Sequence, residues 1–284
     1  MVELSAGPLL CHIEPQLGGC IAGLWHEGVP VLRSSPAAQL TSARQSGSYP
    51  LVPYSNRIGQ ARLEWQGTLY ALVRNNGAEP HAIHGIGWQR PWEVLEADAR
   101  FAMLSHEHRS DAAWPFAFDA SQVFRLSDTE LEMTLSITNQ ADVPAPAGLG
   151  WHPFFMKRKG CKIDFKAGGR WEMGDDKLPV THVPSEGLRG ECDTLDVDHC
   201  FDGWDGAVHL HDDVFDVRVS SNLSRVVVFT TPQREHVAIE PVSHVNNAVA
   251  LVSQGFDPAD LGLVTLAPGE SLSAQMTIEV SRAR

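Results

Sequence analysis

Residues 121–138 read SQVFRLSDTELEMTLSIT. Leu131, Met133, Leu135 and Ile137 recur at every second position and so share one face of an extended chain. Ser127-Asp128 separates this run from residues 121–126, which alternate in the same way, and supplies the turn chemistry expected between paired strands. The stretch predicts two adjacent strands, and the same short period extends in both directions.

Toward the N-terminus, Leu9–Glu14, 20–25 and 29–33 read as strands punctuated by Gly18-Gly19 and Gly28. Residues 61–65 and 68–73 flank Gln66-Gly67 as a hairpin, and 92–97 and 101–106 are placed to pair next. Beyond a proline-rich break at 142–146, strands are expected at 149–156, 161–165, 208–211, 215–219, Arg225–Thr230, 237–239, 261–266 and 271–280. Residues 34–53 and 174–190 read as long loops, and loops of that length are often functional. Short helices are expected only at 37–45 and 248–254. Short strands at roughly 8–12-residue spacing predict an all-β fold, a large antiparallel β-sandwich. No linker or repeat divides the chain, so residues 1–284 are expected to form one domain.

The net charge is −13 and no lysine or arginine run occurs, which argues against nucleic acid and anionic membrane as partners. A small-molecule ligand fits better. No stretch approaches a membrane span, and MVELSAGPLLCHIEPQ lacks the basic and apolar regions of a signal peptide. The five cysteines form no C-x-x-C and are odd in number, which suits reduced thiols in the cytoplasm. His106/His108 and His209/His211 are two apart, but without a third ligand they read as solvated strand faces rather than a metal site.

The chemistry concentrates at loop edges. Residues 231–248 read TPQREHVAIEPVSHVNNA. They place Glu240 at the end of a short buried strand, where Pro241 is expected to stop the ladder. A carboxylate fixed at a strand mouth suits a general base, although a solvated strand end is the simpler reading of the bare pattern. Four further segments carry polar groups of the same kind: Asn56-Arg57-Ile58-Gly59, His84-Gly85, His152-Pro153-Phe154-Phe155 and Asp198-His199-Cys200-Phe201. Singly, each has an ordinary structural explanation as a surface turn, a loop or core histidine, or a cap.

In this order the five motifs resemble the aldose 1-epimerase family, the galactose mutarotases, across nearly the whole chain. The stretch 87–94, GWQRPWEV, is similar to a shorter microbial branch. The resemblance implies a β-sandwich enzyme that interconverts the α and β anomers of a hexose or related aldose without a cofactor. It implies Glu240 as catalytic base, His152 as general acid, and Arg57, His84 and Asp198 as sugar-binding residues, with His244 to Asn247 as candidate walls. The family's better-known members carry H-T/S-Y-F-N-L where this chain has HPFFMK at 152–157, and H-G-G where it has His84-Gly85-Ile86. These are the neighbours that set specificity. Two alternatives stay open: a phosphorylated sugar held by Arg57, Arg90, Lys157 and Arg158, and a carbohydrate-binding protein without turnover that stacks sugar on Trp88, Trp92, Trp114, Trp151 and Trp204. A monomer or homodimer is expected.

Overall fold

In the computed structural model, which describes residues 1–283, the alternating stretch forms the hairpin Phe118–Leu126 and Glu130–Asn139. Its register runs from Leu126 opposite Leu131 to Phe118 opposite Asn139, and Leu131, Met133, Leu135 and Ile137 are all buried. The hairpin lies within a nine-stranded sheet. Across that sheet the order is Glu93–Ala97, Phe101–His108, Phe118–Leu126, Glu130–Asn139, Ser271–Arg282, Phe215–Ser221, Ala207–His211, Lys162–Phe165 and Leu188–Glu191. An eight-stranded sheet runs Pro179–Pro184, Gly169–Met173, Val197–Asp202, Arg225–Thr230, His236–Val242, Gly150–Trp151 and Pro50–Leu51, with Phe154–Met156 also pairing to His236–Val242. The N-terminal strands from Val2–Ala6 to Val29–Pro30 add a four-stranded sheet. Some 51% of the chain is strand and 9% helix, which makes the fold all-β.

One apolar cluster joins the two large sheets. It takes Leu131, Met133 and Met276 from the first and Val226, Val228, Val237 and Ile239 from the second. A smaller cluster, including Tyr49, Trp88, Phe154, Cys200, Val227 and Ala238, packs on the opposite face of the eight-stranded sheet. All five cysteines are free and buried. No helix among the described residues is long and apolar enough to cross a membrane.

Several expectations need correction. The 174–190 loop contains two strands, Pro179–Pro184 and Leu188–Glu191. Each ends its sheet, and an edge strand needs no core-facing alternation and tolerates proline. The predicted strand at 149–156 is split by His152-Pro153 into Gly150–Trp151 and Phe154–Met156. The 34–53 loop holds two single 3-10 turns, Ala37–Gln39 and Ala43–Gln45, rather than one helix. At 248–254 the helix is Ala248–Ser253, and the strand expected at 261–266 is only Val264–Leu266 because the helix Pro258–Leu261 precedes it. His106 and His108 are buried, each bonded to a backbone carbonyl, of Pro91 and Trp114, so that strand face is not solvated.

Pro241 does not end its strand. His236–Val242 continues through it, with Pro241 opposite Val226 and Val242 opposite Arg225. Backbone N–H groups alternate sides along a strand, so position 241 faces the same side as Ile239, whose N–H reaches the Pro153 carbonyl. That is where His152-Pro153 interrupts the neighbouring strands. The missing N–H of Pro241 therefore removes no regular ladder bond.

Candidate active site

Alternation along His236–Val242 gives the strand two different faces. Val237 and Ile239 point into the main core, while Ala238 and Val242 belong to the smaller cluster. Glu240 shares the second face. The two strands beside it put Val227 opposite Glu240 and Cys200 opposite Val227, with Asp198 and Phe229 one row away. Asp198 and Glu240 thus look out on the same side of the sheet.

His152 arrives from the gap between two short strands, its N–H held by the Tyr49 carbonyl. Its ring stacks on Phe154 at 4.3 Å and lies 4.8 Å from Tyr49. His152 Nε2 is 3.2 Å from Glu240 Oε1, with Glu240 2% and His152 7% exposed. The expected acid and base are thus in contact with one another. Glu240 Oε2 and His152 Nδ1 have no hydrogen-bond partner among the described residues. Buried polar atoms without partners are uncommon and point to a ligand or a catalytic task.

His84 packs edge-on to His152 at 5.2 Å, and its Nδ1 accepts the Asn56 N–H. It adopts φ 60°, a backbone conformation rare for a side-chain-bearing residue and typical of functional sites. Gly85 continues the turn at φ 67°, where a Cβ would fall 2.2 Å from the Val52 carbonyl oxygen. Only glycine fits there. Arg57 is fixed by two bonds to Glu79, from Nε at 3.2 Å and Nη2 at 3.1 Å.

All five side chains line one cleft of about 270 Å³. A larger hollow of about 630 Å³ lies on the nine-stranded sheet, lined by Asp164, Arg189, His209, Arg218 and Glu279 and remote from this cluster. Size alone therefore does not locate the chemistry. No cluster of three or more metal-ligating side chains occurs among the described residues.

Burial, reinforced by the negative charge of Asp198 and opposed by Arg57, pushes the Glu240 carboxyl well above the usual carboxylate range. Burial, with His84, Arg33 and Arg44 nearby, pushes His152 well below the usual imidazole range. Burial and then Arg57 and Arg44 do the same to His84. Both shifts favour the uncharged forms, a protonated Glu240 carboxyl beside a neutral His152 imidazole.

Other expected residues serve elsewhere. His244 Nε2 accepts the Ser55 N–H and Asn247 Oδ1 the Gly59 N–H, so they brace the segment carrying Arg57 rather than wall the cleft. Arg90 is paired with Asp111 and Arg158 with Asp212, each at 3.0 Å, while Lys157 donates to the Cys192 and Thr231 carbonyls. Of the expected anion set only Arg57 lines the cleft. Trp92, Trp114, Trp151 and Trp204 are buried in the main core, and Trp88 is buried in the smaller cluster. The cleft's aromatics are Tyr49, Phe154 and Phe229. Sequence reasoning missed Arg33, Arg44, Tyr49, Glu79 and Arg234; the unusual length of the 34–53 loop was the only signal for Arg44 and Tyr49.

A family model described as aldose 1-epimerase matches residues 2–279. The Escherichia coli K12 protein YphB, described as uncharacterized, is 29% identical over 301 residues, spanning 98% of this chain and 97% of its own. The crystal structure of a "Putative aldose 1-epimerase" from the same organism matches with a TM-score of 0.88 at 27% identity, covering 99% of each chain. A galactose mutarotase-like protein from Clostridium acetobutylicum shares the fold with a TM-score of 0.85 at 18% identity, over 99% of this chain and 95% of that one. With the family model spanning nearly all of its length and the same β-rich architecture in these structures, the chain belongs to the aldose 1-epimerase family.

Proposed function

We propose that the protein is a mutarotase that interconverts the α and β anomers of an aldose, with Glu240 and His152 as the proton-transferring pair. The observation that carries this is the 3.2 Å contact between Nε2 and Oε1, made by two buried groups that each keep a second polar atom unpartnered. Residues 1–284 act in this reading as one domain.

Opening the ring requires a base at the C1 hydroxyl and an acid at the ring oxygen. Both oxygens are bonded to the same carbon, so an acid and a base in contact with one another can reach them together. Glu240 takes the hydroxyl proton as the C1–O1 double bond forms. The C1–O5 bond breaks, and O5 takes a proton from His152. Rotation about C1–C2 then presents the other carbonyl face. O5 re-attacks C1, its proton returns to His152, and Glu240 protonates O1. Both transfers use side chains, so the scheme calls for no cofactor.

The ion pair and the neutral pair contain the same number of protons. The neutral pair favoured by burial is the protonation state that accompanies the open chain, and the ion pair accompanies the ring. A site that leans toward the neutral form lowers the energy of the intermediate side of the reaction. Acid–base catalysis of this kind supplies about 10²–10⁴-fold. Arg57 and His84, fixed by Glu79 and by the Asn56 N–H, would orient sugar hydroxyls, and Asp198 would accept from one.

The test is Glu240→Gln, followed by polarimetry of a freshly dissolved α-aldose with circular dichroism as the check on folding. A folded variant that has lost the acceleration supports the assignment. A folded variant as fast as the unmodified protein overturns it.

A further inference from the structure

The cleft has a second electrostatic feature that anomer exchange does not use. On a chain of net charge −13, it is lined by Arg33, Arg44, Arg57, Lys177 and Arg234. Arg57 is answered by Glu79. Lys177 adds to the charge around that same carboxylate, which Arg57 and Lys177 hold low against the opposing effect of burial. Arg33, Arg44 and Arg234 have no acidic partner among the described residues.

These three guanidiniums are placed by other means. Arg33 lies 3.9 Å above the Phe154 ring, Arg234 4.3 Å above Phe229, and Arg44 5.0 Å above Trp88. Stacking of this kind holds a planar cation without neutralising it. Arg33 is also tied through Nε and Nη2 to the Ser46 carbonyl, which leaves Nη1 without a hydrogen bond among the described residues. Burial, opposed by Tyr49 and assisted by the charge of Arg234, lowers the Arg33 pKa to about 10. His236, packed edge-on to Phe154, has a buried Nε2 with no hydrogen-bond partner among the described residues. Unpaired cations gathered around one cleft repel each other, and an anion bound there relieves that repulsion.

Their position relative to the catalytic pair fixes which part of a sugar they face. The ring oxygen of a pyranose is bonded to C1 and C5, and C5 carries C6. If His152 addresses the ring oxygen, C6 emerges on the His152 side. The order outward from His152 is Phe154, stacked at 4.3 Å, and then Arg33 over Phe154. Arg33 therefore lies on the side where C6 would project, and Arg44 and Arg234 line the same cleft.

We propose that the substrate is an aldose carrying an anionic group at C6, a carboxylate or a phosphate ester, held by Arg33, Arg44 and Arg234. This rests on the mutarotase reading above. It replaces the anion set expected from the sequence with residues from two other loops.

The experiment measures anomer exchange by NMR for the free hexose, the hexose 6-phosphate and the hexuronate in the gluco, galacto and manno series. The expected result is a kcat/KM at least about tenfold higher for a charged sugar than for its neutral partner, shrinking as salt is raised. Preference for the phosphate or for the uronate identifies which anion is read. In the Arg44→Gln/Arg234→Gln double variant, checked for folding, the charged-to-neutral ratio is expected to fall toward one. Equal kcat/KM for charged and neutral sugars in the unmodified protein overturns the proposal while leaving the mutarotase reading intact. A ratio unmoved in the double variant also overturns the assignment to these arginines. Absence of turnover with every sugar overturns both.

Discussion

The two faces of the strand His236–Val242 do opposite things with the same backbone. On one face Val237 and Ile239 are fully buried among apolar side chains from both large sheets. On the other, Glu240 is almost as deeply buried but holds a carboxyl against His152 with one oxygen unpartnered. Burial stabilises on the first face and opposes ionisation on the second. A strand can therefore carry a strained electrostatic site when its reverse side anchors it in the core.

Breaking the anchoring face should have the largest energetic effect. Ile239→Ala is expected to lower stability by about 2–5 kcal/mol, measured by urea denaturation, while the kcat of the folded fraction changes little. A large loss of kcat with unchanged stability would show that the faces are not separable in this way. On the other face, His152→Asn should cost about 10²-fold in kcat, with a smaller change in stability. An effect confined to KM would make His152 a binding residue.

A smaller, sharper effect concerns pH. The Glu240 carboxyl sits above its ordinary value of 4.5 when folded. Its contribution to stability is fully present below 4.5 and lost as the pH rises through the folded value. Glu240→Gln does not ionise, so it should be more stable than the unmodified protein at about pH 8, by about 1 kcal/mol or more, and lose that advantage near about pH 5. Chemical denaturation of both proteins at the two pH values checks this.

The buried histidines run the other way. Burial holds His236 and His244 down to about 4 and places His84 and His152 well below 6.5. Their contribution is present above 6.5 and lost as the pH falls through the folded values. Four histidines oppose one carboxyl across the shared window, so the protein should lose stability between pH 6.5 and 4. A flat denaturation midpoint over that range would show that these rings are already charged.

Core strands were legible because burial on one side writes an alternation into the sequence, as at Leu131, Met133, Leu135 and Ile137. Edge strands such as Pro179–Pro184 write none, since little of that strand faces the core. Pro241 misled because proline is a strand breaker only where its N–H is needed, and the gap at His152-Pro153 removes that need. Glu240, His152, His84, Arg57 and Asp198 could be picked out because each sits in a recognisable short motif, and they line one cleft. Arg33, Arg44 and Arg234 belong to no motif. Their role depends on which aromatic ring long-range packing brings beneath each of them, and that is a property of the fold. The contact between Glu240 and His152 was likewise invisible, because the strand carrying Glu240 and the break carrying His152 are brought together only by the pairing of Gly150–Trp151 and Phe154–Met156 with His236–Val242.

Polarimetry of freshly dissolved α-aldoses, neutral and C6-charged, tests the central claim directly when catalytic amounts of the folded protein are added. The account predicts that rotation reaches its equilibrium value faster than in buffer alone for at least one of these sugars. Unchanged relaxation for all of them would contradict it.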